Sequence, residues 1–315
     1  MTSSSRMRSE ASAVLRLHSL GDVVLCQPAA SLLAKAGEVR FLVSDAYIPL
    51  VERFGPGVVP VGIPERGTVS AIRRALGSFR PVRTVDLQGS ITTMLGTWPG
   101  RVSRFRMDRR HRKRVMRGEG AMPLRYGQFC RTAGFAVSPP PVLERRSGPA
   151  GTFSVGLVCG GRWRLKSIPE AVVSELARLF YDLDGARVTL IGGPEDAGAV
   201  ERAAAGACRS GIGRFCGEGG VAGLLDVLER QHLVVSPDSG PAHAARALGV
   251  PTLVVFTSTS TRLGFWSSEG TAGPFAPCSP CHRHGGIRCP RGNEECRTSI
   301  LPLEVYRAAR ALVEP

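Results

Sequence analysis

Short runs of consecutive apolar residues alternate with amphipathic stretches along most of the chain. Residues 13–17, 39–43 and 83–87 have the length and β-branched content of buried strands, and residues 25–35 and 69–76 between them repeat apolar positions at helical spacing. The pattern pauses at VSPPPVLERRSGPAG, residues 137–151, where Pro and Gly replace periodicity, as in an interdomain linker. It then restarts. Residues 153–158, 187–191, 233–235 and 252–256 read as strands, and residues 168–181, 197–205, 221–230 and 241–248 as helices. Such alternation predicts parallel sheets covered by helices. We therefore expect two Rossmann-like, doubly wound α/β domains, over residues 1–140 and 151–300, facing a central cleft. A closing helix in residues 301–315 has no periodic partner and is expected to pack across the body.

Composition agrees with this picture: 315 residues suit two domains, and 43% hydrophobic residues describe a globular chain. No apolar run reaches the ~18 residues of a membrane span, and the start, MTSSSRMRSEASAV, lacks the apolar region of a signal peptide. A cytoplasmic protein with a short loose tail is expected. Charge adds something new, because 41 Lys and Arg against 26 Asp and Glu give +15 and imply an anionic partner. Scattered surface arginines are better accounted for by an arginine-rich proteome. The segment RVSRFRMDRRHRKRVMR, residues 101–117, sets nine basic residues against Asp108 alone and points to an anionic membrane surface or a phosphorylated substrate. Nucleic acid ranks below both, since no recognition helix, RNP-like aromatic motif or zinc-finger spacing accompanies the patch.

Four strand ends carry candidate chemistry. In VVSPDSGPAHAARALGV, residues 234–250, a strand breaks into a loop and a short helix. Pro241 suits a first helical position, so Ser239 or Gly240 is the expected N-cap. The helix end then offers N–H groups and partial positive charge to a phosphate, or Asp238 and Ser239 merely cap an ordinary βα turn. His243, one turn in, either approaches that phosphate or packs. RLHSLGDVVLCQP, residues 16–28, repeats the logic: Gly21 permits a close backbone approach. Asp22 is either a general base at the strand end or an acid favoured by the helix dipole. LVCGGRWRLKSIP, residues 157–169, offers Arg162, Arg164 and Lys166 to a diphosphate. VTLIGGPEDAG, residues 188–198, places Glu195 where Rossmann sheets hold a ribose hydroxyl. A Walker loop and a G-x-G-x-x-G run are absent. Gln88 ends a first-half strand, where it can touch an acceptor.

Nine cysteines in a cytoplasmic chain argue against a disulfide framework. Four of them, Cys278, Cys281, Cys289 and Cys296, form a C-x2-C pair followed by two further thiols, with His282 and His284 as alternates. They are a candidate structural zinc site or a reduced, redox-labile cluster.

"RLHSLGDVVLCQPA", "LKSIP", "IGGPEDA" and "SPDSGPAHAARALGVPTLVVF" occur in this order, and in them the chain resembles the heptosyltransferases of glycosyltransferase family 9. The resemblance implies a GT-B fold with an acceptor-binding domain followed by a nucleotide-sugar domain, and inverting transfer from ADP-heptose to a phosphorylated lipopolysaccharide core. It implies Asp22 as general base, Lys166 on the donor phosphates and Glu195 near the adenosine ribose. Asp238, Ser239, Gly240 and His243 would form the donor loop. Gly21, Gln88, Arg104, Arg109 and Arg110 are the acceptor-side candidates, with the basic segment in the acceptor half. Two departures border the donor: Ile168 stands where an aromatic is common, and Thr257, Ser258, Thr259 and Ser260 replace a Gly-Pro-Thr-Asp turn. The cysteine segment is then a stabilised loop near the donor.

ADP leaves as a stabilised anion, so one carboxylate suffices where a glycosidase needs two, and no cofactor is expected for catalysis. Lys166 and the N–H groups after Ser239 would stabilise the developing charge. Peripheral contact with the inner face of the cytoplasmic membrane is expected from the acceptor's lipid. Two alternatives remain: the same fold with another nucleotide sugar or a glycan or protein acceptor, and a non-catalytic basic binding protein.

Overall fold

The structure, a computed structural model, describes residues 11–64, 68–267 and 269–314, so the expected tail, over residues 1–10, lies outside the described residues. The chain divides into two compact units, Met1–Met107 with Tyr126–Pro141, and Asp108–Arg125 with Val142–Pro315. The first contains β1 (Ser12–Leu15), α1 (Leu20–Ala34), β2 (Val39–Ser44), α2 (Ile48–Val51), β3 (Val58–Ile63), α3 (Thr68–Phe79), β4 (Arg83–Asp86), α4 (Ile91–Gly96) and β5 (Val102–Arg104). Helix α5 (Arg109–Met116) belongs to the second unit, and α6 (Arg125–Thr132) returns almost wholly to the first. The second unit continues with β6 (Ser154–Val158), α7 (Glu170–Asp184), β7 (Arg187–Gly192), α8 (Ala197–Ala207), β8 (Gly213–Cys216) and α9 (Gly220–Glu229). It closes with β9 (Leu233–Pro237), α10 (Gly240–Ala247), β10 (Thr252–Val255), β11 (Thr271–Ala272), α11 (Glu295–Thr298) and α12 (Pro302–Arg310).

Both sheets are parallel throughout, in the orders β3-β2-β1-β4-β5 and β11-β10-β9-β6-β7-β8. Their inner strands are continuous apolar runs because helices cover both faces. Val14, Leu15, Phe41 and Leu42 in one sheet, and Val155, Leu157, Leu190 and Val235 in the other, are fully buried. Each sheet reverses its winding once, between β1 and β4 in the first unit and between β6 and β9 in the second. In doubly wound sheets, ligands bind beyond the carboxyl ends of strands at such a reversal. These two places are therefore where each unit would hold a ligand.

The four strands that the apolar pattern does not predict, β3, β5, β8 and β11, are the outer strands of their sheets. Edge strands are short and tolerate Pro, Gly and Arg. Pro60, Arg104 and Gly213 supply those interruptions here. The linker, residues 137–151, has no helix or strand but is strapped to the second unit. Buried Glu229 accepts from the Arg146 N–H at 3.1 Å and the Ser147 hydroxyl at 2.9 Å. Helix α12 packs on α7, placing Val305 and Ala309 in the core of the second unit and the Tyr306 ring 4.9 Å from Phe180. No described helix is long and apolar enough to cross a membrane.

Candidate functional site

In the first unit, the loop from β1 to α1 bends sharply at Ser19, whose φ of 74° is unusual for a residue with a side chain. The Ser19 carbonyl accepts the Val23 N–H at 2.9 Å, so α1 begins at Leu20, five residues before the expected helix, and Gly21 and Asp22 fall in its first turn. Asp22 makes no cap there. Its Oδ2 is ion-paired with the Arg16 guanidinium, while its buried Oδ1 has no hydrogen-bond partner among the described residues. Arg16 also donates to the Leu87 carbonyl at 2.9 Å, and Gln88 Oε1 accepts the Leu17 N–H at 3.2 Å. Residues following β1 and β4 are thus tied together at the reversal of the first sheet. The unpaired carboxylate oxygen of Asp22 lies within that group.

Two acceptor-side expectations change. Arg104 Nε donates to Asp86 Oδ2 at 2.8 Å, and its Nη2 donates to Thr97 Oγ1 at 2.8 Å, so the guanidinium is occupied in holding β5 and α4 to β4. Asp86 is fully buried, which makes this ion pair part of the interior. Arg109 and Arg110 lie on α5, which belongs to the second unit, whereas the sequence places them in the first-half domain. Arg262 anchors that segment by donating to the carbonyls of Gly120, at 3.0 Å, and Gly118. Burial, with the like charges of Arg283 and Arg109, lowers the pKa of Arg112 from its ordinary value.

In the second unit, the loops after β6 and β9 carry the other candidates. Asp238 is 5% exposed, and its carboxylate is fully engaged. Its Oδ1 accepts the Trp266 indole N–H at 2.7 Å, and Oδ2 accepts the Thr259 hydroxyl at 2.7 Å and faces Lys166 Nζ at 3.0 Å. Burial alone would push this carboxyl up, but Lys166, Trp266, His243 and Thr259 together hold it below the usual carboxylate range. The His243 ring stacks on Trp266, with centroids 3.9 Å apart and planes 9° from parallel, so His243 packs. Ser239 caps α10 in extended conformation without a side-chain bond to the helix, and its hydroxyl lies 3.0 Å from that of Ser236. The first turn of α10 therefore receives no side-chain acceptor from its cap.

Glu195 is exposed after β7 and makes no hydrogen bond or ion pair among the described residues. Its neighbour Asp196, which carried no sequence signal, accepts the Gly161 N–H at 2.9 Å and the Gly193 N–H at 3.1 Å, joining the loops after β6 and β7. Gly160, at φ 71°, is required there: a Cβ would lie 2.1 Å from Asp196 Oδ1. Thr257, Ser258, Thr259 and Ser260 are all buried, and the Ser258 and Ser260 hydroxyls have no partner among the described residues.

The cysteine segment braces the lysine loop. Leu165 donates its N–H to Gly286 at 2.9 Å, Arg164 pairs with Glu294, and Arg297 Nη1 donates to Glu294 Oε2 at 2.7 Å. Cys278, Cys281, Cys289 and Cys296 are free thiols, near enough for each of the other three to raise the pKa of Cys296, which burial already pushes up, to about 11 in all. Among the described residues no three or more His, Cys, Asp or Glu side chains are arranged to hold a metal ion.

Residues 149–281 match the family model of glycosyltransferase family 9 (heptosyltransferase). No curated protein matches the chain. Among solved structures, it is similar to E. coli ADP-heptose lps heptosyltransferase II, at 19% identity over 96% of this chain and 98% of that one, with a TM-score of 0.75. It is also similar to a family 9 glycosyl transferase from Veillonella parvula, at 15% identity over 96% and 97%, TM-score 0.77. E. coli heptosyltransferase WaaC with ADP follows at 17% over 96% and 99%, TM-score 0.69. At such identities the likeness carries the fold, two parallel-sheet α/β domains. The family match spans Lys166, Glu195 and the whole loop from Asp238 to His243.

Proposed function

The chain carries the glycosyltransferase family 9 (heptosyltransferase) domain over residues 149–281 and is a glycosyltransferase, and on that premise we propose that it moves heptose from ADP-heptose to a phosphorylated lipid or oligosaccharide acceptor with inversion. The Lys166–Asp238 pair carries this reading: it stands at the winding reversal of the matched sheet, beside a helix N-terminus without a side-chain cap. Lys166 and the first N–H groups of α10 hold the diphosphate and stabilise the charge that grows on it as the glycosidic bond breaks. Glu195, exposed at the next strand end, takes the ribose.

Asp22 accepts the proton of the acceptor hydroxyl at Oδ1, the oxygen that Arg16 leaves unpaired. That hydroxyl oxygen forms the new bond to the anomeric carbon as the bond to ADP breaks on the opposite face, and the carbon inverts. Lys166 and the amides supply the counter-charge, so the proposed step uses no divalent metal. The chain's one Asp-x-Asp sequence closes α7, with Asp182 paired to Arg209 and Asp184 to Arg310. The four thiols do not fit a metal cage as they are placed, and no role for zinc is derived. The acceptor's lipid would hold the enzyme at a membrane surface.

Calorimetry with ADP and UDP, followed by transfer from ADP-heptose, tests the reading. It expects ADP to bind more tightly than UDP, Lys166→Ala to weaken ADP at least tenfold, and the product to have the anomeric configuration opposite to the donor. Equal affinities, or a product of retained configuration, would overturn it. Tighter binding of another nucleotide would instead assign the replaced turn at Thr257, Ser258, Thr259 and Ser260 to a different nucleotide sugar.

A further inference from the structure

Helix α4 is built inside out. A surface helix ordinarily turns its apolar stripe to the core and its small or polar residues to water. Here Thr93, Gly96 and Thr97 are buried, while Ile91, Met94, Leu95 and Trp98 are 73%, 45%, 47% and 72% exposed. Ile91, Met94 and Leu95, at i, i+3 and i+4, share one face of α4, and Trp98 follows in the turn that ends it.

The buried Asp86–Arg104 pair fixes this orientation. Thr93 Oγ1 donates to Asp86 Oδ2 at 2.8 Å, and Thr97 Oγ1 accepts from Arg104 and donates to the Thr93 carbonyl at 2.8 Å. A Cβ on Gly96 would come within 2.8 Å of Ile72, so only glycine lets α4 lie this close to α3. Rotating the helix to bury its apolar residues would take the Thr93 and Thr97 hydroxyls from the buried carboxylate and its guanidinium, leaving charged groups short of hydrogen bonds at a cost of about 1–3 kcal/mol each. The hydrophobic face is consequently held outward, and an exposed apolar patch of this kind marks a contact surface.

Charge identifies the partner. Between Thr68 and Met107 the chain has seven arginines and one acidic residue, the buried Asp86. Arg73, Arg74, Arg101 and Arg106 are exposed, and Arg73 Nη2 donates to the Leu95 carbonyl at 3.0 Å, directly beside the stripe. A two-fold contact with a second copy would set these like charges against one another. A short convex stripe with Trp among aliphatic side chains and a rim of arginines matches the headgroup boundary of an anionic bilayer.

We propose that α4 and Trp98 dock the first unit on anionic membrane, with Ile91, Met94, Leu95 and Trp98 entering the interface and Arg73 and Arg74 engaging lipid phosphates. This rests on the transferase reading only in giving the acceptor a lipid, and it replaces α5 as the membrane-facing element. Co-sedimentation of the full chain with vesicles of phosphatidylcholine, alone or mixed with phosphatidylglycerol, tests it. The expected result is binding to the mixed vesicles only, weakened by salt. Trp98→Ser and Leu95→Ser should each lower it about tenfold, and Arg73→Gln with Arg74→Gln should lower it similarly. All variants should keep the wild-type melting temperature and ADP affinity. Apolar variants that bind vesicles like wild type would overturn the proposal, as would a dimer that Trp98→Ser dissociates or an acidic protein held by this face without vesicle binding. A wild-type chain that binds ADP but neither kind of vesicle counts against docking alone, and failure of the wild type to bind ADP counts against the transferase reading alone.

Discussion

Lys166 Nζ lies 3.0 Å from Asp238 Oδ2, joining loops that leave the adjacent strands β6 and β9. With Trp266 on Oδ1 and Thr259 sharing Oδ2, Asp238 has its oxygens occupied by donors and is unsuited to accept a substrate proton. In the proposed reaction it is a positioning residue, fixing the ammonium group for the diphosphate. Asp238→Asn keeps the shape and removes the charge, leaving Lys166 without its counter-ion. We expect a stability loss of about 3 kcal/mol and a donor KM raised at least tenfold, checked by denaturant unfolding and initial rates.

Trp266→Phe separates the two roles of the indole. The phenyl ring can still stack on His243, but the donor to Asp238 Oδ1 is lost. A buried acceptor left unpaired costs about 1–3 kcal/mol. The variant should melt earlier and bind ADP less well, whereas Phe265→Leu should leave ADP binding near wild type.

Gly160→Ala drives a methyl group into Asp196 at a residue with φ of 71°. The Asp196 bonds to the Gly161 and Gly193 amides must then break, loosening both loops at once. Donor affinity should fall about tenfold, an effect of roughly 1.4 kcal/mol. Asp196→Asn, which can keep one of the two acceptor contacts, should lose less.

Acid should release the brace under Lys166. The hydrogen bond from Arg164, with a further one from Arg297, holds the Glu294 carboxyl down to about 2 against the opposing effect of burial. A carboxyl depressed on folding contributes stability above its unfolded value, near 4.5, and loses it as pH falls toward about 2. The melting-temperature gap between wild type and Glu294→Gln should therefore be widest at neutral pH and close across that interval.

The inner strands and the helices that cover them were legible in the sequence, because burial on both faces leaves uninterrupted apolar runs such as residues 39–43 and 252–256. The outer strands were not, since Pro60 and Gly213 break the same signal where one side of the strand lacks a neighbour. At the site, glycines and charges after strands marked Asp22, Lys166 and Asp238 by position. Their partners were hidden by distance along the chain: Trp266 is 28 residues from Asp238, and Gln88 is 71 from Leu17. No helix is predicted over residues 91–96, and the exposed Ile91, Met94, Leu95 and Trp98 emerge only in the structure. Only the buried Asp86–Arg104 pair shows why they point outward.

The transfer rate of Asp22→Asn, measured with ADP-heptose and a phosphorylated acceptor, tests the central claim most directly. Asparagine retains the size of the side chain beside Arg16 but cannot take a proton. The account predicts a fall of about 10²–10⁴-fold in kcat with ADP affinity unchanged, because Asp22 belongs to the first unit and the nucleotide loops to the second. Transfer within a few-fold of wild type would contradict it.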